Sequence, residues 1–300
     1  MQALIYGRSM SIHWPAIFEM LTRVAGVDLL TAKATPVRGG CIHQAFCVEN
    51  QGNKFFLKLN THDKGPMFAA EFDALQQLEK TQALQVPEPI AHGVDDGFAW
   101  LVTEFLDLVP ASVLAHEALG RQLAMLHNRP RPHFGWHRDN AIGLTLQIND
   151  VNAEWVPFFR EKRIGWQLEL ARRDGYVFDG SERLMESMEV LFAGYEPSAA
   201  LLHGDLWHGN ISMLSDDCPV VFDPASYFGD PEAEFGIVEM FGGFSERFQD
   251  AYREIRPSEP GFEQRRHLYR LYHELNHLHL FGAGYAEGCQ KTIVRLLDFL

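Results

Sequence analysis

Asp205, Asn210 and Asp223 follow one another along two short stretches, LLHGDLWHGNISM and PVVFDPASYFGD. Asn210 comes five residues after Asp205, and Asp223 comes thirteen residues after Asn210. Phosphoryl transfer needs a carboxylate that accepts a hydroxyl proton, together with oxygen ligands for the Mg²⁺ that accompanies a triphosphate. Either Asp205 or Asn210 alone would be read as a residue that fixes a turn. Their joint order and spacing predict a kinase catalytic loop with Asp205 as base and with Asn210 and Asp223 as metal ligands.

Four residues further upstream could complete an ATP site. Lys58 lies in the apolar run FFLKLN, which would bury its stem and direct the ammonium towards phosphates. Glu71, thirteen residues later in a helical pattern, could pair with Lys58 and hold it in place. Gly39 and Gly40 in RGGCIHQAF fall where a phosphate loop belongs, because glycine lets the backbone approach a phosphate closely.

The elements that must position these residues divide the chain into two parts. β-Forming runs separated by turn residues predict a three-stranded antiparallel meander over 31–60, followed by a helix in GPMFAAEFDALQQLEK. PEPIAHGV and FAWLVTEFL predict two more strands, and from about residue 111 the pattern is helical, except for a strand-rich patch at 199–228. The predicted fold is α+β and two-lobed, like that of protein kinases, with a β-rich N-lobe over 1–103 and a mainly helical C-lobe over 104–300. A cleft between the lobes would be a natural ligand site.

The hinge between the predicted lobes falls on Glu104, Phe105 and Leu106. In this position their main-chain amides and carbonyls would bond the edge of an adenine ring. This assignment follows from position alone, since these side chains carry little of the signal.

Composition restricts the class of protein. A net charge of −14 disfavours nucleic acids and anionic membranes, although ATP can still bind through a few local cations and Mg²⁺. The four cysteines form no CxxC pair, which fits a reducing compartment, and no apolar run approaches a membrane span. Gly7, Arg8, His13 and Pro15 interrupt the apolar run of a signal peptide, so a cytoplasmic protein is expected, starting at Met1 or at Met10.

Several stretches together resemble the fructosamine kinase family, the ketosamine-3-kinases, within the aminoglycoside-phosphotransferase and protein-kinase-like superfamily. The resemblance covers about residues 31–287 and rests on GGCIHQAF, FFLKLN, MFAAEFDAL, HGDLWHGN, FDPASYFGDPEAEFGIVEMFGGF and LYRLYHELNHLHLFGAGY. The last two are the specific ones, because aminoglycoside and choline kinases share HGD-x₄-N but usually lack these continuations. The resemblance implies transfer of the ATP γ-phosphate to the 3-hydroxyl of a ketosamine, on a free amino acid or on a glycated protein lysine. The product is unstable and sheds its sugar, so the implied activity reverses glycation.

The resemblance assigns the roles already inferred from the residues. Asp205 is the base, Asn210 and Asp223 are the metal ligands, Lys58 is the phosphate-binding lysine held by Glu71, and residues 104–106 form the adenine hinge. One departure is His208, where the family usually has a small residue such as serine. A bulkier ring beside the acceptor could change the sugar preference. Trp207 and His208 could both contact the sugar, but Trp207 could equally pack beneath the catalytic loop.

A second motif, HELNH at 273–277, matches the H-E-x-x-H pattern of zinc proteases. Positions 280 and 283, which would be Gly and His in metzincins, are Leu280 and Ala283. Only 23 residues remain after His277 for another ligand, and leucines at 268, 271, 275 and 278 predict a buried helix. We therefore expect helix packing here, not zinc catalysis.

Cys41 follows the two glycines of the predicted phosphate loop, where backbone amides could lower the pKa of its thiol. Some family members carry a cysteine at this position, so oxidation could block ATP binding, in a monomer or in a redox-sensitive dimer. A small residue tucked under the sheet is the alternative. For function, two other hypotheses stay open: a kinase for another small hydroxyl acceptor such as an aminoglycoside, and a non-catalytic pseudokinase. The identity of the ketosugar stays open as well.

Overall fold

The computed structural model describes residues 12–37, 42–95 and 97–300. These residues form two units, one drawn from Met1–Phe72 and Glu88–Leu106 and the other from Asp73–Pro87 and Asp107–Leu300. The lobe boundary between residues 103 and 104 stays a prediction. In the described part of the chain, no helix is both long and apolar enough to cross a membrane.

The first unit contains a five-stranded antiparallel sheet with the strand order β1-β2-β3-β5-β4. The helices and strands along this part of the chain are α1 (Trp14–Ala25), β1 (Lys33–Pro36), β2 (Gln44–Asn50), β3 (Asn53–Thr61), α2 (Gly65–Thr81), β4 (Pro89–Asp95) and β5 (Phe98–Glu104). Helix α2 begins in the first unit and continues past Phe72, where the first segment of that unit ends. The predicted meander, the helix after it and the two later strands are confirmed.

The β2–β3 hairpin shows why the meander could be predicted. Gln51 and Gly52 have φ values of 48° and 85°, so both central turn residues adopt the left-handed conformation that matches the twist of a two-residue hairpin. The pairing of Asn50 with Asn53 then fixes the register of both strands.

Alternation along β3 sends its side chains to opposite faces of the sheet. Leu57 and Leu59 are fully buried in one core cluster, together with Ile17 and Leu21 of α1. Lys58 lies between the two leucines, so its side chain projects to the other face. The helix α1 was not predicted, and the core on this face is built against it.

The second unit is mainly helical, with short antiparallel strand pairs β6–β7, β8–β11 and β9–β10. Its further elements are α3 (Val113–His127), β6 (Asn140–Ile142), β7 (Thr145–Gln147), α4 (Trp155–Phe159), α5 (Trp166–Arg173), α6 (Ser181–Glu186), β8 (Ala200–Leu201), β9 (Ile211–Met213), β10 (Pro219–Val221), β11 (Phe228–Gly229), α7 (Phe235–Phe241), α8 (Glu246–Ile255), α9 (Phe262–Phe281) and α10 (Ala286–Leu297).

Close helix packing builds the core of this unit. A Cβ atom on Gly120 of α3 would lie 2.2 Å from the main-chain oxygen of Phe248 in α8, so only glycine allows these helices to approach so closely. The predicted leucine stripe of α9 is confirmed: its four leucines are at most 1% exposed. Between α4 and α5 the helix widens into a π-helical segment, Arg160–Gly165, which buries Arg163 completely.

Candidate active site

The predicted catalytic loop follows strand β8, and a tight contact shapes it. Gly204 has a φ of 84°, and a Cβ atom there would lie 2.2 Å from the carbonyl oxygen of Ala225. No other residue fits both constraints. The loop then brings Asp205 to Asn210, whose Nδ2 donates to the Asp205 carbonyl at 2.9 Å and to Asp205 Oδ2 at 3.1 Å.

The Asp223 segment is hydrogen-bonded to this loop on both sides. The Phe222 amide donates to the Asn210 carbonyl at 3.1 Å, and the Ala225 amide donates to the His203 carbonyl at 2.9 Å. Asp223 itself has a φ of 58°, a left-handed conformation that is uncommon outside glycine and is often found at functional sites. The structure therefore brings together the three residues that the spacing predicted.

The electrostatics of this group favour a cation. Burial, and then the neighbouring Asp223 carboxylate, raise the pKa of Asp205 to about 7, while the hydrogen bond from Asn210 acts in the opposite direction. Asp205 keeps some solvent exposure even so. A divalent cation would relieve the repulsion between the two carboxylates and favour their charged forms.

The donor atoms fit Mg²⁺. This ion prefers oxygen ligands and is usually held by one or two carboxylates together with substrate phosphates. Because Asn210 uses Nδ2 to bond Asp205, its Oδ1 is the atom left to contact a metal. Within the described ranges, no group of three or more His, Cys, Asp or Glu residues could hold a metal, so a site here needs the Asn210 amide and substrate oxygens as well.

A buried acid that the sequence interpretation missed holds the catalytic loop. Glu234 accepts hydrogen bonds from the His203 amide at 2.7 Å and from the Gly204 amide at 2.9 Å. Burial alone raises the pKa of Glu234, but His127, whose Nε2 lies 3.7 Å away, His203 and the Gly204 amide hold it below its ordinary value. Glu234 lies within the stretch GDPEAEFG. An acid followed at once by the apolar FGIV was the available signal.

His203 connects the two halves of the site. Its Nδ1 accepts from the Asp205 amide at 3.3 Å, and its Nε2 donates to the Phe222 carbonyl at 3.1 Å. Both bonds need a neutral ring, and burial lowers the pKa of His203 accordingly. His203 thus connects Phe222, the residue before the predicted metal ligand Asp223, to the backbone of the predicted base Asp205.

In the first unit, Lys58 Nζ donates to Glu71 Oε1 at 2.6 Å. Their side chains are only 9% and 14% exposed, so water screens the pair weakly. The pair predicted from a separation of thirteen residues therefore forms, and it joins β3 to α2.

The predicted hinge residues follow one another from the end of β5. The Glu104 amide donates to the carbonyl of Glu88, the residue before β4, at 2.9 Å. Main-chain donors for an adenine edge would therefore come from Phe105 and Leu106. Gly39, Gly40 and Cys41 lie outside the described residues, so the phosphate loop stays a prediction.

Trp207 and His208 lie on the surface of the second unit beside the catalytic loop. A Cβ atom on Gly209 would lie 2.3 Å from the Trp207 ring, so this ring folds back over its own loop. His208 is exposed, and its ring is packed against Gly243, where a Cβ atom would lie 2.7 Å from it. His208, Gly209, Gly243 and His116 help to line a cavity of about 420 Å³. Whether Trp207 or His208 contacts a sugar stays a hypothesis.

The HELNH stretch lies inside α9 and is held by bonds of the helix itself. His277 Nδ1 donates to the His273 carbonyl at 2.8 Å, and Glu274 accepts from Arg270 at 2.7 Å. Burial, with smaller effects of His277 and Arg163, lowers the pKa of His273 to about 3. These contacts support a packing role for the motif.

Comparison with known proteins bears on the whole chain. The family model described as fructosamine kinase matches residues 13–299. The chain is 40% identical over 294 residues to the protein-ribulosamine 3-kinase, chloroplastic, of Oryza sativa subsp. indica, covering 96% of this chain and 83% of that protein.

Solved structures agree with this match. A crystal structure of a "Putative fructosamine-3-kinase" from Haemophilus somnus 129PT has a TM-score of 0.87 at 28% identity, covering 95% of this chain and 97% of that one. The aminoglycoside phosphotransferase APH(4)-Ia, solved with ADP and hygromycin B, has a TM-score of 0.62 at 13% identity over 95% and 98% of the two chains, which shows a shared fold. The fold is thus kinase-like, and by its sequence over nearly its full length the chain belongs to the fructosamine kinase family.

Proposed function

We propose that this protein is an ATP-dependent kinase that phosphorylates the 3-hydroxyl of ketosamines, on amino acids or on glycated protein lysines, as a step of deglycation. The observation that carries the proposal is the Asp205–Asn210 hydrogen bond beside Asp223, in a member of the fructosamine kinase family. The ribulosamine kinase name of the rice relative supports an acceptor of this class.

In the proposed reaction, Asp205 orients the acceptor hydroxyl and accepts its proton. The hydroxyl oxygen forms the new bond to the γ-phosphorus, the bond between that phosphorus and the bridging oxygen breaks, and ADP leaves. Asn210 and Asp223 would hold Mg²⁺, which neutralises negative charge on the phosphates when it is bound. Lys58 binds the α- and β-phosphates, and Glu71 holds Lys58 at a fixed position.

Other parts of the proposal rest on the sequence alone. The glycine loop at Gly39 and Gly40, the adenine hinge at Glu104–Leu106 and a redox role of Cys41 remain predictions. So do a monomer or redox-sensitive dimer and a cytoplasmic location.

The first test is ADP release with Mg-ATP under reducing conditions, using ribulosyl-lysine, fructosyl-lysine and hygromycin B as acceptors. We expect turnover of a ketosamine, and Asp205→Asn should lower kcat by about 10³-fold through loss of the general base. Asp150→Asn is the matched control, because Asp150 is 69% exposed and pairs only with Lys162 among the ion pairs of the described chain. Its kcat should stay within twofold of wild type.

Two other outcomes would replace the proposal. Turnover of hygromycin B alone would favour the aminoglycoside alternative, which the similarity in fold to APH(4)-Ia supports. No turnover and no binding of Mg-ATP would favour a non-catalytic binding module.

A further inference from the structure

Five aromatic side chains of the second unit form a continuous row of ring contacts, which we call the aromatic wall: Trp207, Phe241, His277, Phe281 and Tyr285. The ring centroids of Trp207 and Phe241 lie 5.3 Å apart, and those of Phe241 and His277 lie 5.0 Å apart. His277 then contacts Phe281 and Tyr285, each at 5.3 Å. The row runs from the catalytic loop, over the ends of α7 and α9, to the turn before α10.

Core packing does not explain Phe281, at the outer end of this wall. The four leucines of the α9 stripe are buried in the core, whereas Phe281 at the end of the same helix is 58% exposed. Among the large hydrophobic side chains that are exposed in the described residues, Phe281 is the one aromatic ring. Trp207, Phe241, His277 and Tyr285 are partly exposed as well. An exposed row of rings that ends at a catalytic loop is a candidate binding surface.

The wall is suited to a cation. Aromatic faces attract ammonium groups, and burial lowers the pKa of His277, so its ring is neutral near pH 7 and does not repel a positive charge. Arg270 and Arg266 lie on the same side of α9, and both are paired with acids. Arg270 pairs with Glu274 at 2.7 Å and with Glu239 at 3.8 Å, and Arg266 pairs with Glu239 at 3.4 Å. The net charge of −14 also favours a positively charged acceptor.

We propose that the aromatic wall binds the amine-bearing half of the acceptor, an alkylated secondary ammonium such as that of a glycated lysine side chain. This inference rests on the proposed function. In a ketosamine the nitrogen is attached to C1, only a few bonds from the 3-hydroxyl, so an acceptor oriented by Asp205 must place its nitrogen close to the catalytic loop. Trp207, two residues after Asp205, begins the wall at that point. The alkyl stem beyond the nitrogen then lies against Phe281 and Tyr285.

The test compares two acceptors that share the same sugar. One is fructosyl-lysine or ribulosyl-lysine, whichever the wild type uses, and the other carries an ether oxygen in place of the amine nitrogen. For Phe241→Ala, at the ring next to Trp207, we expect kcat/KM for the ketosamine to fall about five- to tenfold, and that for the ether less than twofold. Phe241→Leu keeps an apolar side chain without a π face, so it should lose nearly as much as Phe241→Ala. Phe281→Ala and Tyr285→Ala remove contacts to the stem, which both acceptors share, so they should weaken both acceptors equally. Val294→Ala, a change at a position 51% exposed on α10, should change neither value.

A binding measurement separates this inference from the proposed function. Calorimetric titration of the ketosamine into Asp205→Asn protein, with and without Phe241→Ala, measures binding to the aromatic wall without turnover, and we expect the same five- to tenfold weakening. For Phe241→Ala, equal losses on both acceptors, full rescue by Phe241→Leu, or no loss at all in an active enzyme would each overturn the inference alone. A wild-type protein that neither binds nor phosphorylates a ketosamine would overturn the proposed function, and the inference with it.

Discussion

Glu234 offers a sharp test of how the catalytic loop is held. Its two carboxylate oxygens accept from the His203 and Gly204 amides, at 2.7 and 2.9 Å, immediately before Asp205. Glu234→Gln keeps the shape of the side chain but replaces one acceptor oxygen with a donor NH₂ group. One loop amide then faces another donor in a site from which water is excluded, since Glu234 is 2% exposed.

The expected magnitude follows from these contacts. A hydrogen bond to a charged group contributes about 1.5–3 kcal/mol, and a neutral one about 1 kcal/mol. Glutamine loses one charged bond completely and converts the other into a neutral bond, so the free energy of unfolding should fall by about 3 kcal/mol. Because Asp205 follows directly, a loop displacement of ~1 Å could cost up to about 10²-fold in rate. We expect kcat to fall by about 10- to 100-fold, with little change in KM for ATP.

The assay is chemical denaturation together with steady-state kinetics on the acceptor that the wild type uses. Glu263→Gln serves as a control, because Glu263 is 70% exposed and pairs with Arg266 at the surface. Surface ion pairs contribute at most about 1 kcal/mol, so the control should change the free energy of unfolding and kcat very little. If Glu234→Gln lost no more stability and no more kcat than this control, the idea that Glu234 positions the catalytic loop would be wrong.

Two further predictions concern Lys58 and His273. Lys58→Met should lower kcat/KM for ATP by about 10²-fold, since one phosphate-binding cation is lost, whereas Lys33→Met, at an exposed position of β1 in the same sheet, should lower it by less than threefold. Equal effects would remove Lys58 from the site. His273 has a folded-state pKa of about 3, below the ordinary 6.5, so at pH 5.5 the unfolded chain takes up a proton that the folded chain refuses. Its contribution to stability is present above pH 6.5 and is lost as the pH falls towards 3. Between pH 7.0 and pH 5.5 the free energy of unfolding of the wild type should therefore fall by about 1.3 kcal/mol more than that of His273→Gln, as measured by chemical denaturation. Identical decreases in both proteins would refute the lowered pKa of His273.

Local patterns account for the parts of the fold and site that could be predicted. The apolar run around Lys58 predicted a strand lysine with a buried stem, and the helical pattern thirteen residues later predicted that Glu71 could pair with it. The helical spacing of the leucines predicted the buried stripe of α9 in the same way. Helix α1 was missed although Ile17 and Leu21 repeat at helical spacing, so a local signal was present there as well.

Contacts between residues far apart in the chain could not be read in this way. Glu234 lies 31 residues from His203, whose amide donates a hydrogen bond to it, and no repeat or spacing rule relates the two positions. The HELNH string shows the opposite case, in which a local pattern matches a known motif but the side chains do not adopt the geometry of that motif. His277 Nδ1 is taken up by a backbone carbonyl of its own helix, which a sequence pattern alone cannot reveal.

The geometry at Asp223 depends on such distant contacts. Its left-handed φ of 58° costs conformational energy of order 1–3 kcal/mol, so neighbouring bonds must hold it. Gln147 Nε2 donates to the Ala225 carbonyl at 3.1 Å from 78 residues away, and Asn140 Nδ2 donates to the Ser226 carbonyl at 2.8 Å from 86 residues away. These buried amides fix the chain just after the predicted metal ligand. The motif therefore identifies which residues could perform the chemistry, whereas polar side chains outside the motif set the backbone conformation that the chemistry requires.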